Sequence, residues 1–271
     1  MKLITVDQHL CVKCGLCAAV CPRGLIQLSP WPTDNHAELC IACGQCVAVC
    51  PAKALDNCRA PLAGQDPLEA GYALTEATAR LFLRSRRSMR GYKTKPVPRE
   101  KLRELIDIAR FAPSGGNSQG ISYCVIDRPE RLHALTEQTI AWMEAPEQQC
   151  SPNAKTYAQY VSMYREYTRD SILRGAPALV LGLADKNFAR GRENTLLALS
   201  YVDLFAPSIN LGTCWAGLLE AAAFSGFPPL LELLDVPSGK KLTGALMIGY
   251  PKYGFRRLPD RNPLELSFQN D

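Results

Sequence analysis

The chain has 271 residues, of which 47% are apolar and 21% are charged. This composition predicts one or two compact domains at about 150 residues each, and it argues against a fibrous or mostly disordered chain. Apolar runs such as Ala176–Ala184 are far shorter than the roughly 18 residues that a membrane span needs. The opening residues contain no apolar leader segment, so we expect a cytoplasmic protein.

Cysteine is the unusual component, because nine of the 12 cysteines lie in the first 58 residues. In a chain without a leader, this density favours metal binding over disulfides. Only three histidines are present, which argues against a zinc site built from several histidines. The formal net charge of +5 belongs to the bare chain and does not by itself indicate a nucleic-acid partner.

The first eight cysteines form a repeat with an offset of 29 residues, Cys11-x2-Cys14-x2-Cys17-x3-Cys21-Pro22 and Cys40-x2-Cys43-x2-Cys46-x3-Cys50-Pro51. Short strands are predicted on either side of the first half, over Lys2–Val6 and Leu25–Leu28. Thiolates in tetrahedral sets are ligands that iron prefers. Three cysteines at this spacing reach three corners of a cubane, and in the two-cluster arrangement the fourth cysteine of each half serves the other cluster.

This repeat resembles the bacterial two-[4Fe–4S] ferredoxin over about 58 residues. The predicted ligand sets are Cys11, Cys14, Cys17 and Cys50 for one cluster, and Cys40, Cys43, Cys46 and Cys21 for the other. A structural zinc module is the alternative, but zinc modules usually carry two separated cysteine pairs. Cys58 lies outside both halves, and we predict a spare or packing thiol there.

The second part of the chain follows a Pro- and Gly-containing linker, and we place the domains at residues 1–58 and 76–271 with the linker at 59–75. Predicted helices cover Glu76–Ser85, Pro98–Phe111, Pro129–Glu144, Asn153–Arg174, Glu193–Leu211, Gly217–Phe224 and Leu230–Leu234. Predicted strands cover Ile121–Ile126, Ala178–Ala184 and Gly244–Gly249. Helices outnumber strands without regular alternation, which favours the α+β class.

A basic run from Arg80 to Arg103 contains ten basic residues and one acid. Within it, the five residues RRSMR supply the three guanidiniums and one hydroxyl of Arg86, Arg87, Ser88 and Arg90. Forked guanidiniums bind phosphate in two places at once. A solvated face and a nucleic-acid patch are the alternatives, although only two aromatic residues interleave the run, so base stacking is poorly supported.

Three further segments follow in order: PSGGNSQ from Pro113, GTCWAG from Gly212, and GYP from Gly249 with two arginines after it. With RRSMR, the set resembles the nitroreductase family of FMN oxidoreductases over about residues 80–260. One departure is Gly120-Ile121, where the family often has Pro-Trp.

The resemblance implies an α+β homodimer with FMN at the subunit interface. It implies that the RRSMR residues hold the phosphate of FMN and that Arg256 or Arg257 closes the phosphate pocket. It also implies ring contacts from Pro113, Ser114 and Asn117, and a backbone near flavin N5 formed by Cys214, Trp215, Ala216 and Gly217. Cys214 is either a redox-active thiol or a small residue in a turn.

We therefore expect an FMN-dependent oxidoreductase whose two [4Fe–4S] clusters relay electrons to or from the flavin. The expected acceptor is a small organic molecule such as a nitroaromatic, a quinone or an activated alkene, and the expected donor is ferredoxin or NAD(P)H. No nucleic-acid or membrane partner is expected, and exposed clusters suggest an anaerobic setting. The alternatives are an NAD(P)H-oxidising flavoprotein that exports electrons, and an electron-transfer or redox-sensing module without a substrate of its own.

Four tyrosines in the predicted helix Asn153–Arg174 recur at helical spacing, and they form one stripe: Tyr157, Tyr160, Tyr164 and Tyr167. A stripe of this kind indicates packing in a core or a dimer interface. The alternative is that some hydroxyls face the flavin and orient or protonate the substrate.

Overall fold

The computed structural model describes residues 2–69 and 71–269, which divide into two compact units. The N-terminal unit comprises Met1–Leu74 together with Ser114–Ser118. The C-terminal unit comprises Thr75–Pro113 and Gln119–Asp271.

The N-terminal unit follows the 29-residue repeat. Strand β1 (Ile4–Val6) pairs with β4 (Leu55–Asn57), and β2 (Ile26–Leu28) pairs with β3 (Pro32–Asp34), both antiparallel. Each half also contains one short helix, α1 (Leu16–Ala19) in the first and α2 (Gln45–Ala48) in the second. Three 3-10 turns complete the unit, at Ala37–Leu39, Leu62–Gly64 and Gly115–Asn117.

Glycines start both short helices of this unit. Gly15 precedes α1 with φ 77°, and Gly44 precedes α2 with φ 73°. Both angles lie in the left-handed region, which costs other residues energy because of their Cβ atoms. The repeated glycine therefore allows each cysteine loop to turn directly into its helix.

The C-terminal unit is built on a four-stranded antiparallel sheet with the order β5-β6-β8-β7. Its strands are β5 (Ile121–Ile126), β6 (Ala178–Asp185), β7 (Gly212–Trp215) and β8 (Lys240–Gly249). Alternate residues of β6 enter different hydrophobic clusters: Leu179 and Leu181 enter one, and Ala178 and Val180 enter the other. Because successive strand residues point to opposite faces, both faces of the sheet are covered.

The helices of this unit are α3 (Glu76–Ser85), α4 (Arg99–Asp107), α5 (Pro129–Glu144), α6 (Pro146–Gln149), α7 (Ala154–Arg165), α8 (Gly191–Phe205), α9 (Gly217–Phe224) and α10 (Pro228–Leu234), with 3-10 turns at Ile108–Phe111 and Ala206–Ile209. Those with buried residues cover the sheet, and α5 contributes to one hydrophobic cluster and α8 to the other. A Cβ on Gly244 would lie 2.6 Å from the methyl group of Thr195, so glycine in β8 permits the close approach of α8. Within the described residues, only the bent pair α9–α10, taken together, has the length and apolar composition of a membrane span, and no single helix does.

The predicted α+β class is confirmed, and several predicted elements have the observed bounds, including Glu76–Ser85 and Pro129–Glu144. The predicted helix Asn153–Arg174 is wrong in its second half, because α7 ends at Arg165. The carboxylate of Asp170 accepts the N–H groups of Ile172, Leu173 and Gly175, which holds a turn instead. Strand β7 was not predicted.

A buried carboxylate with a partly exposed arginine partner fixes α9 against the sheet. Glu220 accepts hydrogen bonds from Arg192 at 2.8 Å and from the Ala245 N–H at 2.7 Å. The Glu220 side chain is buried, whereas that of Arg192 is 40% exposed. Removal of the carboxylate would leave a buried N–H group without its partner.

We predict that Glu220→Leu lowers the free energy of unfolding by about 2–3 kcal/mol, because it removes both bonds and leaves the Ala245 N–H unsatisfied. Urea unfolding followed by circular dichroism measures the change. Glu193→Leu, at an exposed position of α8, is the control and is expected to stay within about 0.5 kcal/mol of the parent. Equal effects of the two substitutions would contradict the role of Glu220.

Candidate functional sites

The eight cysteines of the repeat line two separate small cavities of the N-terminal unit, four in each. The first cavity contains Cys11, Cys14, Cys17 and Cys50. The second contains Cys21, Cys40, Cys43 and Cys46. These are the two crossed sets that the spacing predicts, with one cysteine of each half lining the cavity of the other half. Four convergent thiols are the donor set that a cubane needs, so the residues present fit two clusters.

Hydrogen-bond donors face several of these sulfurs. The N–H of Leu25 lies 3.4 Å from Cys21 Sγ, and the N–H of Ala54 lies 3.3 Å from Cys50 Sγ. The side-chain amide of Asn57 donates to Cys46 Sγ at 3.6 Å. Burial raises the pKa of the Cys46 thiol, and the Asn57 bond opposes that rise. N–H groups aimed at sulfur stabilise the thiolate, which is the form that binds iron.

The arginine-rich loop of the C-terminal unit lies beside two other predicted motifs. The Met89 N–H donates to Thr213 O at 2.8 Å, which places the loop against β7. The Lys93 N–H donates to Tyr250 O at 2.9 Å, which places the end of the loop against the GYP segment. Three of the four motifs that the family resemblance uses are therefore adjacent in this unit.

Arg86 and Arg87 differ in their surroundings. Arg86 donates to the buried carboxylate of Asp203 at 3.3 Å, and Thr213 donates to the same carboxylate. Burial raises the pKa of Asp203, although the bonds from Thr213 and Arg86 oppose that rise. By contrast, Arg87 Nε is buried and has no hydrogen-bond partner. The hydroxyl of Tyr92 is likewise buried without a partner. Buried polar groups are normally paired, so these two donors fit an anion such as the FMN phosphate.

The segment from Cys214 to Gly217 spans the end of β7 and the start of α9. The Ala216 N–H is bonded to Ala245 O at 3.0 Å, whereas Gly217 is exposed. A contact of this segment with a flavin stays a prediction. A Cβ on Gly217 would meet open space. Cys214 is buried, and burial raises its pKa despite the nearby guanidiniums of Arg90 and Arg174. A protonated, buried thiol favours packing over redox chemistry.

The middle of the PSGGNSQ segment is part of the N-terminal unit. Ser114–Ser118 belongs to the N-terminal unit, and the Asn117 side-chain amide donates to Ile41 O at 2.9 Å and to Ala42 O at 3.1 Å. Ring contacts from Pro113, Ser114 and Asn117 stay a prediction. Trp215, one of the residues predicted near flavin N5, is half-buried.

The predicted pocket-closing arginines, Arg256 and Arg257, are exposed. Their neighbour Phe255 has its ring 5.6 Å from the Arg87 guanidinium carbon, so the C-terminal segment passes close to the arginine loop. Closure of a phosphate pocket by Arg256 or Arg257 stays a prediction.

Sequence reasoning missed three residues of this region: Tyr92, Arg174 and Asp203. Arg174 was assigned to a helix, whereas the Asp170 turn brings its charge close enough to affect the pKa of both Tyr92 and Cys214. Asp203 could have been found from the sequence, because it is an acid inside the apolar segment SYVDLFA. An acid in such a segment is rarely buried unless it is paired.

Most of the tyrosine stripe packs in the C-terminal unit. Tyr157 is buried with its ring 5.2 Å from that of Trp142, and Tyr164 donates to Glu137 at 2.6 Å. Tyr160 packs against the same hydrophobic cluster, whereas Tyr167 is exposed. The packing interpretation accounts for three of the four.

Comparisons with known proteins agree with this two-part organisation. Residues 83–250 match the sequence model of the Nitroreductase family, and residues 10–55 match that of a 4Fe-4S dicluster domain. The chain is 26% identical over 185 residues to an iodotyrosine deiodinase from Drosophila melanogaster, covering 64% of this chain and 62% of that protein. It is 26% identical over 179 residues to an FMN reductase (NAD(P)H) from Bacillus subtilis, covering 62% of this chain and 64% of that protein.

A crystal structure of a nitroreductase with bound FMN from Bacteroides fragilis aligns with a TM-score of 0.59 at 19% identity, covering 72% of this chain and 100% of that one. This similarity shows the fold. The aligned part of the present chain spans less than two thirds of the length of either curated relative. Because the family model covers more than half of the chain, the protein belongs to the nitroreductase family, with a 4Fe-4S dicluster domain preceding the family domain.

Proposed function

We propose that the protein is an FMN-dependent oxidoreductase in which two [4Fe–4S] clusters relay single electrons to or from the flavin. The observation that carries this proposal is the occurrence of two four-cysteine cavities in a chain of the nitroreductase family. A nitroreductase domain needs no iron–sulfur site to fold, so the added domain indicates electron exchange.

The arginine loop supports the flavin part of the proposal. Arg87 Nε and Tyr92 OH are buried donors without partners, and Arg90 and Ser88 lie in the same loop. We propose that these groups hold the FMN phosphate, with Arg86 positioned by Asp203 beside them. Charge-assisted bonds from forked guanidiniums are suited to phosphate oxygens.

FMN, when bound, supplies one- and two-electron chemistry and hydride transfer at its N5 atom. The protein's own part is to position and tune it. Gly217 is exposed and a Cβ there would meet open space, so we propose that its backbone faces the flavin. Trp215 is half-buried next to this turn. None of these side chains is an acid–base catalyst, so we propose that substrate protons come from water or from the flavin.

The partners follow from the same reasoning. We propose ferredoxin or NAD(P)H as the donor, and a small nitroaromatic, quinone or activated alkene as the acceptor. The name of the deiodinase relative adds halogenated phenols to the acceptors worth testing. We also propose a homodimer with FMN at its interface. Electron export from NAD(P)H through the clusters is the alternative direction, and a redox module without turnover is the alternative class.

The donor experiment tests the proposal directly. Purified holoprotein is mixed anaerobically with reduced ferredoxin, NADH or NADPH in separate reactions, and flavin absorbance is followed. Bleaching by ferredoxin alone is expected if electrons enter through the clusters. Bleaching by a nicotinamide supports electron export instead.

The same reduced protein is then mixed with each acceptor class in turn. Reoxidation of the flavin by at least one nitroaromatic, quinone, alkene or halogenated phenol is expected. Failure of all of them would support the non-enzymatic module, and a preparation without flavin, iron and sulfide after reconstitution would refute the proposal itself.

The crossed cysteine sets predict a specific pattern of cluster loss. Cys21→Ser should remove or convert the cluster bound by Cys40, Cys43 and Cys46, while the other cluster remains. Iron content should fall by about half if that cluster is lost and by about one iron in eight if it becomes a three-iron cluster, and electron paramagnetic resonance distinguishes the two. Cys58→Ser is the control, because Cys58 is exposed and lines neither cavity, and it should keep both clusters.

The phosphate site predicts a loss of FMN affinity. Arg87→Ala should weaken FMN binding about tenfold to a hundredfold, because a charge-assisted bond contributes about 1.5–3 kcal/mol. Quenching of flavin fluorescence measures the Kd. Arg84→Ala, an exposed change of equal charge at the end of α3, is the control and should change the Kd less than threefold. Equal losses in both variants would indicate a general charge effect.

A further inference from the structure

The two halves of the N-terminal unit are related by the 29-residue offset, so each residue near one cavity has a counterpart near the other. Many interactions obey this symmetry. Both short helices begin at a left-handed glycine, and the equivalent thiols of Cys21 and Cys50 each accept an N–H from the residue four positions later. Where counterparts differ, the two sites acquire different properties.

Asn57 breaks the symmetry. It is 3% exposed at the end of β4, and its Nδ2 donates to Cys46 Sγ at 3.6 Å. Its counterpart in the first half, at the end of β2, is Leu28, which is 42% exposed and has no side-chain donor. The orientation of the Asn57 amide is fixed, because its Oδ1 accepts the Arg59 N–H at 2.9 Å, which leaves the NH2 group to face the sulfur.

Nearby cations are balanced between the two sites. Arg59 donates to Cys40 O at 2.5 Å and Arg23 lines the second cavity, whereas Lys13 lines the first cavity and Lys53 stands between its lining residues Ala52 and Ala54. The difference that bears directly on a ligand sulfur is therefore the side-chain amide of Asn57, which has no counterpart at the first cavity.

Donors and cations near thiolate sulfur stabilise the more negative, reduced form of a cluster and raise its potential. We propose that Asn57 raises the reduction potential of the cluster at Cys21, Cys40, Cys43 and Cys46 above that of the other cluster. A single electron on this unit then resides at that second site. In the internal step one electron leaves the first cluster and one arrives at the second, without a change in bonds or protons. This inference rests on the proposed function only in requiring that both clusters bind.

The second site is also the one held by the PSGGNSQ segment. Asn117 bonds the carbonyls of Ile41 and Ala42, which lie in the loop between Cys40 and Cys43. Within the N-terminal unit, this segment therefore holds a loop that lines the second cavity.

Redox titration of the full-length holoprotein, followed by electron paramagnetic resonance, tests this. The parent should show two separate midpoints. Asn57→Leu, which has the side chain of its counterpart, should lower the higher midpoint, so that the reduced fraction of that cluster at a fixed potential falls about fivefold, while the lower midpoint stays. Leu28→Ala is the matched control and should move neither.

Asn57→Asp serves as a second variant, because it keeps the acceptor for Arg59 and loses the donor. Its higher midpoint should fall at least as far as that of Asn57→Leu. Equal midpoints in the parent, a shift of the lower midpoint, or no shift in either variant would overturn the inference. Iron and sulfide contents are measured in each sample. Absence of clusters from the parent would instead refute the proposed function, whereas flavin turnover has no part in this measurement.

Discussion

The crossed sharing of cysteines is the constraint on which the N-terminal unit depends. Cys50 of the second half lines the first cavity, and Cys21 of the first half lines the second. The buried apolar residues of this unit are few, with Leu3, Ile4 and Leu55 among them. So small a core seldom stabilises a domain alone, and metal bonds commonly supply the rest. Each cluster, once bound, links both halves, so cluster assembly and folding of this unit are one process.

The C-terminal unit follows a different principle. Its sheet is covered on both faces, and apolar burial of this extent stabilises a fold without metal. The arginine loop is held against this sheet through backbone bonds at Met89 and Lys93, and Asp203 orients Arg86 from α8. The proposed phosphate donors are therefore positioned by a preformed core, so binding of the anion need not order the loop.

Elements with strong local signals were predictable from sequence. The hydroxyl of Thr75 caps the start of helix α3, and the spacing of the eight cysteines indicated two sets. Features set by distant partners were not predictable. Strand β7 has four residues and exists because β8 pairs with it, and Asn117 bonds a loop about 75 residues earlier in the chain. Arg174 was misplaced because the Asp170 turn replaces helical periodicity with side-chain bonds to the backbone.

Duplication gives the N-terminal unit two similar sites, and each cluster carries one electron at a time, whereas FMN accepts two. Two clusters together therefore match the capacity of one flavin, which gives a reason to keep both halves of the repeat. Identical sites would share a single electron equally between them. A difference such as Asn57 in place of Leu28 gives electron transfer between the two clusters a direction, and it leaves the spacing of the cysteines unchanged. The sequence can therefore keep the same cysteine spacing in both halves while the residues around the cysteines differ between them.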